Sequence, residues 1–128
     1  MKRYFLGLDI GSVNAKLTLI DKDSALLYSD AERVISGPKA AIISLLSRLE
    51  QQVSLSDIAS AGVSGSGKGA IPPEMNWATY SSPLAIISGL LLTHPDARTI
   101  IQIGGQSSLV IELEDGLKKP WKVSSNPL

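Results

Sequence analysis

The stretch that most constrains this chain is its first strand and the turn after it, Tyr4-Phe5-Leu6-Gly7-Leu8-Asp9-Ile10-Gly11-Ser12-Val13-Asn14-Ala15-Lys16-Leu17. An apolar run feeds a carboxylate, the carboxylate feeds a glycine, and a second apolar run leads away. That order predicts a buried strand, a tight turn and a paired strand. Gly11 removes a Cβ where backbone must bend or approach another group closely. Ser12 and Asn14 bring short polar groups beside exposed amides. Asp9 ends a strand that is otherwise apolar, and a carboxylate there is costly unless it meets a cation, a metal-bound water or several donors. Two readings fit this corner. One is a phosphate and metal site; the other is a hairpin in which Asp9 and Asn14 only satisfy turn amides.

The rest of the chain predicts what that corner is built into. Ala15, Leu17 and Leu19 fall on one face and Lys16 and Thr18 on the other, the alternation of a half-buried strand. Asp21-Lys22-Asp23-Ser24 is a turn, and Ala25 to Ile35 returns as a third strand, with polar residues entering at Ser29, Asp30, Glu32 and Arg33. Consecutive hairpins make the three strands antiparallel neighbours. Ser36-Gly37-Pro38 signals a helix start. Ile42, Leu45, Leu46, Leu49 and Val53 then keep the helical period on one face, so this helix packs on the sheet. Ile58 to Ser64 reads as a short strand, parallel to the first if the helix is a crossover. Ser82-Pro83 starts a second helix with a capping hydroxyl before the proline. Its stretch Leu84 to Leu92 is apolar nearly all round, which predicts deep burial. Thr99 to Ile103 and Leu109 to Leu113 are strands, Glu114-Asp115-Gly116 is a hairpin turn by composition, and Leu117 to Val123 completes the hairpin. The order βββαβαβ plus a C-terminal hairpin predicts an α/β fold, a mixed sheet with helices on its faces. No internal repeat stands out.

Composition narrows the function classes. A chain of 128 residues is one domain's worth. Its 12 basic and 12 acidic residues balance, so no long-range field points to nucleic acid or an anionic membrane. Cysteine is absent, which removes disulfides, a thiol nucleophile and cysteine-ligated clusters from this segment. Met1-Lys2-Arg3 is basic, but Asp9 breaks the run that follows, so a signal peptide is not expected here. Leu84 to Leu92 is shorter than the roughly 20 residues that span a bilayer. A cytoplasmic location is expected.

Two further glycine stretches carry chemistry. Gly62-Val63-Ser64-Gly65-Ser66-Gly67-Lys68 follows a strand and matches most of a Walker A loop. The next residue, however, is Gly69 where a magnesium-binding hydroxyl belongs, and Pro72-Pro73 breaks the helix whose N-terminus would hold phosphate. A P-loop is therefore rejected. A surface turn, or a strand-end loop bordering a ligand, remains. Ile103-Gly104-Gly105-Gln106-Ser107-Ser108 lies between two strands, where paired glycines let backbone amides approach a phosphate. A plain glycine hairpin fits the same residues.

Taken together, Asp9-Ile10-Gly11-Ser12 with Lys16, Gly62 to Lys68, and Ile103 to Ser108 resemble the motifs of one family. They are similar, in this order, to the activator ATPases of 2-hydroxyacyl-CoA (2-hydroxyglutaryl-CoA) dehydratases and the related ATPase subunits of benzoyl-CoA reductases. These belong to the superfamily of actin, sugar kinases and heat-shock chaperones. The resemblance implies a ribonuclease-H-like (actin-like ATPase) lobe over residues 1–128, a single lobe from a longer protein. It implies ATP and Mg²⁺ as ligands, with Asp9 ordering Mg²⁺-bound water and Lys16 neutralising charge. Gly11, Ser12, Gly104 and Gly105 would present amides to phosphate beside Gln106, with the two glycine turns close together around one ligand. It further implies a homodimer when full length, an iron–sulfur cluster held outside this segment, and a dehydratase or reductase as protein partner, to which ATP-coupled electron transfer is directed.

The chain departs from the family where acids are expected. The residue before Ile-Gly-Gly is Gln102, and Ser107 and Leu109 replace an acid and a lysine after Gln106. The start of the second helix, Ser81-Ser82-Pro83, also lacks the family's acid. Gln102 keeps an acceptor oxygen but no charge, and charge-assisted hydrogen bonds are roughly twice as strong as neutral ones. Catalysis then has no candidate beyond Asp9. Two rival readings stand beside the activator: a degenerate, non-hydrolysing actin-like domain kept for assembly or regulation, and a sugar or acyl-group kinase lobe. His94 is expected to be a helix-end residue, and Trp77 and Trp121 to be packing residues. With one histidine in the chain a catalytic triad is not expected.

Overall fold

The computed structural model describes residues 2–104 and 107–127. The chain forms two compact units, Met1–Tyr80 and Ser81–Leu128. In the first, β1 (Tyr4–Ile10), β2 (Asn14–Ile20), β3 (Leu26–Arg33), β4 (Ile58–Ser64) and the two-residue β5 (Ala78–Thr79) make one sheet, with α1 (Pro38–Glu50) between β3 and β4. The sheet order is β3-β2-β1-β4-β5. β1, β2 and β3 are successive antiparallel neighbours, whereas β4 runs parallel to β1 and β5 parallel to β4. A parallel pair needs a long crossover, and the β2–β3–α1 segment supplies it. The expected α/β fold with a mixed sheet is therefore present.

Alternation decides which face is core. Leu6, Leu8 and Ile10 of β1, Ala15, Leu17 and Leu19 of β2, and Ala61 and Val63 of β4 are buried with Ala41, Ile42, Leu45 and Leu49 of α1. Burying one Leu or Ile side chain is worth about 1.5–3 kcal/mol, so this cluster is the main stabilising term of the unit. α1 starts where predicted, with Pro38 in its first turn after Gly37 at φ 93. β3 is shorter at both ends than the predicted Ala25–Ile35. Asp21 Oδ1 accepts from the amides of Asp23 and Ala25 and holds Ala25 in the turn. The register also shifts between Leu19 and Ile20.

The second unit holds α2 (Ser82–Thr93) and a three-stranded antiparallel sheet, β6 (Thr99–Ile103), β7 (Ser107–Glu112) and β8 (Lys122–Pro127), in the order β6-β7-β8. Ile87, Ile100, Ile111 and Leu113 form its core, with Trp121 packed against them. Four expectations are corrected. β6 was expected to extend the single mixed sheet; it pairs instead with β7 in a sheet of its own. The closing strand starts at Lys122 and not Leu117, because residues 113–121 are a loop in which Pro120 has no N–H to give a ladder. α2 is not deeply buried: Ile87 is its one buried residue among those described, and Leu92 is 64% exposed. Its cap is Ser81, one residue earlier than expected, whose Oγ accepts from the Leu84 amide at 3.4 Å.

One likeness between the units is visible only in the pairing. Across the first turn Asp9 faces Lys16 and Ile10 faces Ala15. Across the turn from β6 to β7, Gln102 faces Leu109 and Ile103 faces Ser108. In the sequence, glycine directly follows the isoleucine in both places, as Gly11 and Gly104. An antiparallel third strand follows in each case, β3 in one and β8 in the other.

Candidate functional site

The polar corner at the end of β1 follows from the strand's own period. Leu8 and Ile10 point into the core, so Asp9 between them points to the opposite, exposed face. Register then supplies its neighbours. Lys16 stands opposite Asp9 on β2, and Ser64 stands opposite it on β4. Directly opposed residues share a face of the sheet, so a cation and a hydroxyl flank the carboxylate. Ser64, 9% exposed, donates from Oγ to Asp9 Oδ1 at 3.3 Å. This is the one hydrogen bond to the Asp9 carboxylate among the described residues.

The turn after β1 requires glycine. The Gly11 amide donates to the Asn14 carbonyl at 2.9 Å, and a Cβ on Gly11 would lie 2.8 Å from that same oxygen. Ser12 and Lys16 are exposed beside it. The corner therefore offers one carboxylate, one ammonium and a tight glycine turn, the donor and acceptor set of a phosphate with a hydrated divalent cation. Among the described residues no group of three His, Cys, Asp or Glu could hold a metal directly. Asp9 suits a water-mediated contact with a cation whose other ligands come from a phosphate. A cysteine-ligated cluster does not fit, since the chain has no cysteine.

The stretch Gly62 to Lys68 sits on this corner and not on a helix. After it comes only a short 3-10 turn, Lys68–Ala70, which agrees with rejecting a P-loop. The Gly67 amide donates to the Ile10 carbonyl at 2.8 Å, and a Cβ on Gly67 would meet Ile10 Cγ2 at 2.6 Å. Gly65 has φ +97, and a Cβ there would strike the Ile10 carbonyl oxygen and lie 2.7 Å from Asp9 Oδ1. The sequence leaves the Gly62 to Lys68 stretch as a surface turn or a strand-end loop bordering a ligand and does not single out Ser64 and Gly65; the parallel pairing of β1 with β4 brings these two to Asp9.

The other predicted residues lie in the second unit. Gln102 is exposed on β6, opposite Leu109, and Gly104 is half-buried just after the strand. Gly105 and Gln106 lie outside the described residues. His94 caps α2: its amide donates to the Leu90 carbonyl at 2.8 Å and its Nδ1 is 2.8 Å from Thr93 Oγ1. Trp77 packs against the first core and Trp121 against the second. Among the described residues no helix is long and apolar enough to cross a membrane.

No family model matches the chain. Named relatives are nevertheless found. An activator of lactoyl-CoA dehydratase from Anaerotignum propionicum is 29% identical over 127 residues, 91% of this chain and 45% of that protein. Among solved structures, the activator of the 2-hydroxyisocaproyl-CoA dehydratase from Clostridium difficile with bound ADPNP superposes with TM-score 0.75 at 26% identity, over 97% of this chain and 46% of that one. Component A of the (R)-2-hydroxyglutaryl-CoA dehydratase from Acidaminococcus fermentans superposes with TM-score 0.79 at 24% identity, over 96% of this chain and 48% of that one, a likeness of fold. The chain thus spans about half the length of the relatives it matches. Over that half, this chain is similar to the activators of 2-hydroxyacyl-CoA dehydratases and has the actin-like fold of their solved structures.

Proposed function

We propose that this chain is the nucleotide-binding part of an activator ATPase that couples ATP to electron transfer toward a 2-hydroxyacyl-CoA dehydratase or a related reductase. The observation that carries the reading is the corner at the end of β1, where Asp9 stands between Lys16 and Ser64 beside the Gly11 turn. It occurs in a chain similar to an activator solved with ADPNP, an ATP analogue. Bound Mg²⁺-ATP would supply the phosphoryl bond whose cleavage is coupled to that electron transfer. The residues of this chain have simpler tasks. Asp9 orients metal-bound water. The amides of Gly11 and Ser12 bind phosphate oxygens, and Lys16 neutralises their charge. Gly104, Gly105 and Gln106 supply a second phosphate loop. The whole protein works in the cytoplasm, as a homodimer, with an iron–sulfur cluster ligated outside this segment, and without nucleic acid or membrane as partner.

Gln102 favours a second reading. An amide at a position where the resembling family carries an acid leaves cation and attacking water without a charged partner. Such a chain binds nucleotide but hydrolyses it slowly, as a regulatory or assembly domain. Calorimetric titration with Mg-ADPNP of a chain extended to the length of its relatives tests the common core of both. Saturable binding by the native protein and its loss in Asp9→Ala are expected. Absence of binding by the native protein, or unchanged binding by Asp9→Ala, refutes nucleotide binding at this corner.

A further inference from the structure

We propose that the Ser64–Gly65 step at the end of β4 is the positioning device for the Asp9 carboxylate. The inference rests on the nucleotide-binding reading above and deepens it. Asp9 is one residue from the end of β1, on the exposed face. A carboxylate so placed loses rotamer freedom whenever it must hold one orientation. One hydrogen bond and the shape of one loop restrict that freedom in advance. Ser64 Oγ donates to Oδ1 at 3.3 Å from a buried position on the neighbouring strand. Ser64 is itself held by the parallel register that puts it opposite Asp9.

Gly65 then turns the chain at φ +97 over the Ile10 carbonyl, and its missing Cβ leaves the space in which Oδ1 sits. With any other residue at position 65, a Cβ would lie 2.7 Å from that oxygen and the carboxylate would move. Gly67 completes the clamp, because its amide bonds the Ile10 carbonyl at 2.8 Å and ties the loop to the strand end. The loop thus holds one oxygen of Asp9 through a hydroxyl and a shape. The second oxygen is left to face a metal-bound water. The glycine-rich Gly62–Lys68 stretch thus acts on the corner through Asp9.

Two measurements on the extended chain test this. In the first, Mg²⁺ is titrated at fixed ADPNP for the native protein, Ser64→Ala and Ser64→Thr. Ser64→Ala is expected to raise the half-saturating Mg²⁺ concentration about tenfold, the size of one hydrogen bond to a charged group. Its unfolding midpoint should stay near the native value, and Ser64→Thr, which keeps the hydroxyl, should restore the native Mg²⁺ requirement. An unchanged Mg²⁺ requirement in Ser64→Ala overturns the positioning role while nucleotide binding stands. If the native protein binds no ADPNP, the nucleotide-binding reading fails, and the second measurement still decides the positioning claim. Crystal structures of native protein and Ser64→Ala compare the Asp9 side chain directly. A changed rotamer in Ser64→Ala supports the device, and an Asp9 carboxylate that stays in place overturns it.

Discussion

At the scale of single residues, the corner at the end of β1 depends on missing atoms as much as on present ones. Gly65 is the sharpest case, since both its φ of +97 and the Ile10 carbonyl exclude a side chain. An L-residue in the left-handed region costs about 1–2 kcal/mol before any clash. Gly65→Ala is therefore expected to lose about 2 kcal/mol or more in urea unfolding. Gly69→Ala, where a Cβ would meet nothing within 4 Å, should change stability by less than about 0.5 kcal/mol. Equal losses in the two variants would show that the loop is not seated on β1 as described. Asp9, Gly11, Ser12 and Lys16 were readable because they lie on one short segment, where a strand's alternation and a turn's glycine are local facts. Ser64 was not, because only the pairing of β1 with β4 brings it to Asp9.

At the scale of elements, the exposed edge of the first sheet carries its own safeguard. β3 is an edge strand, and its alternation turns Tyr28, Asp30 and Glu32 to one face. Arg48 of α1 meets both acids, with Nε 2.6 Å from Asp30 Oδ2 and Nη1 2.8 Å from Glu32 Oε1. Charges pointing inward on an edge strand discourage pairing with another chain. The hydrogen bond from Arg48 is the main cause that holds both carboxyls below their ordinary values of 3.8 and 4.5. The sign follows from linkage. A carboxyl with a depressed folded-state value binds its proton more tightly in the unfolded chain. Its contribution is complete above the ordinary value and is lost as pH falls through the folded one. Arg48→Met should thus be less stable than native near neutral pH, with the gap in unfolding midpoint closing as pH falls below the ordinary values of 3.8 and 4.5 and through the lowered folded-state ones. A gap that stays constant through that fall in pH would exclude these carboxylates as its cause. The polar residues on this strand were visible in the sequence. Their partner was not, because Arg48 lies on the flank of a helix whose rotation about its axis is set by packing on the sheet.

At the scale of the whole molecule, the two units differ in what they bury. Among the described residues, the first has 12 buried apolar residues in its core, and the second has four, Ile87, Ile100, Ile111 and Leu113. Local opening follows buried apolar contact, so backbone amides of β1, β2 and β4 should exchange with solvent far more slowly than those of β6, β7 and β8. Equal protection in both sheets, read by hydrogen exchange, would contradict this division. Activity also belongs to this scale. The 128-residue chain should hydrolyse little or no ATP, because ligand sites bury most of their ligand and this chain spans about half the length of its relatives. In the extended chain, Gln102→Asp should raise phosphate release about tenfold or more by restoring a charged partner. Rapid turnover by the 128-residue chain, abolished by Asp9→Ala, would overturn both arguments.

What the sequence by itself determined is everything that depends on near neighbours along the chain. The alternation of β1 and β2, the proline starts of α1 and α2, the glycine turns and the absence of a P-loop helix are all of this kind. Short-range sterics and side-chain period control them, and both are written in adjacent residues. The tertiary structure decided which strand edges meet. It kept β6 out of the first sheet, in a sheet with β7 and β8, and it set the register that brings Ser64 of β4 opposite Asp9. Strand edges present the same row of N–H and C=O groups whatever their side chains. Their pairing is therefore chosen by which apolar faces can be buried together, and that is a property of the folded chain alone.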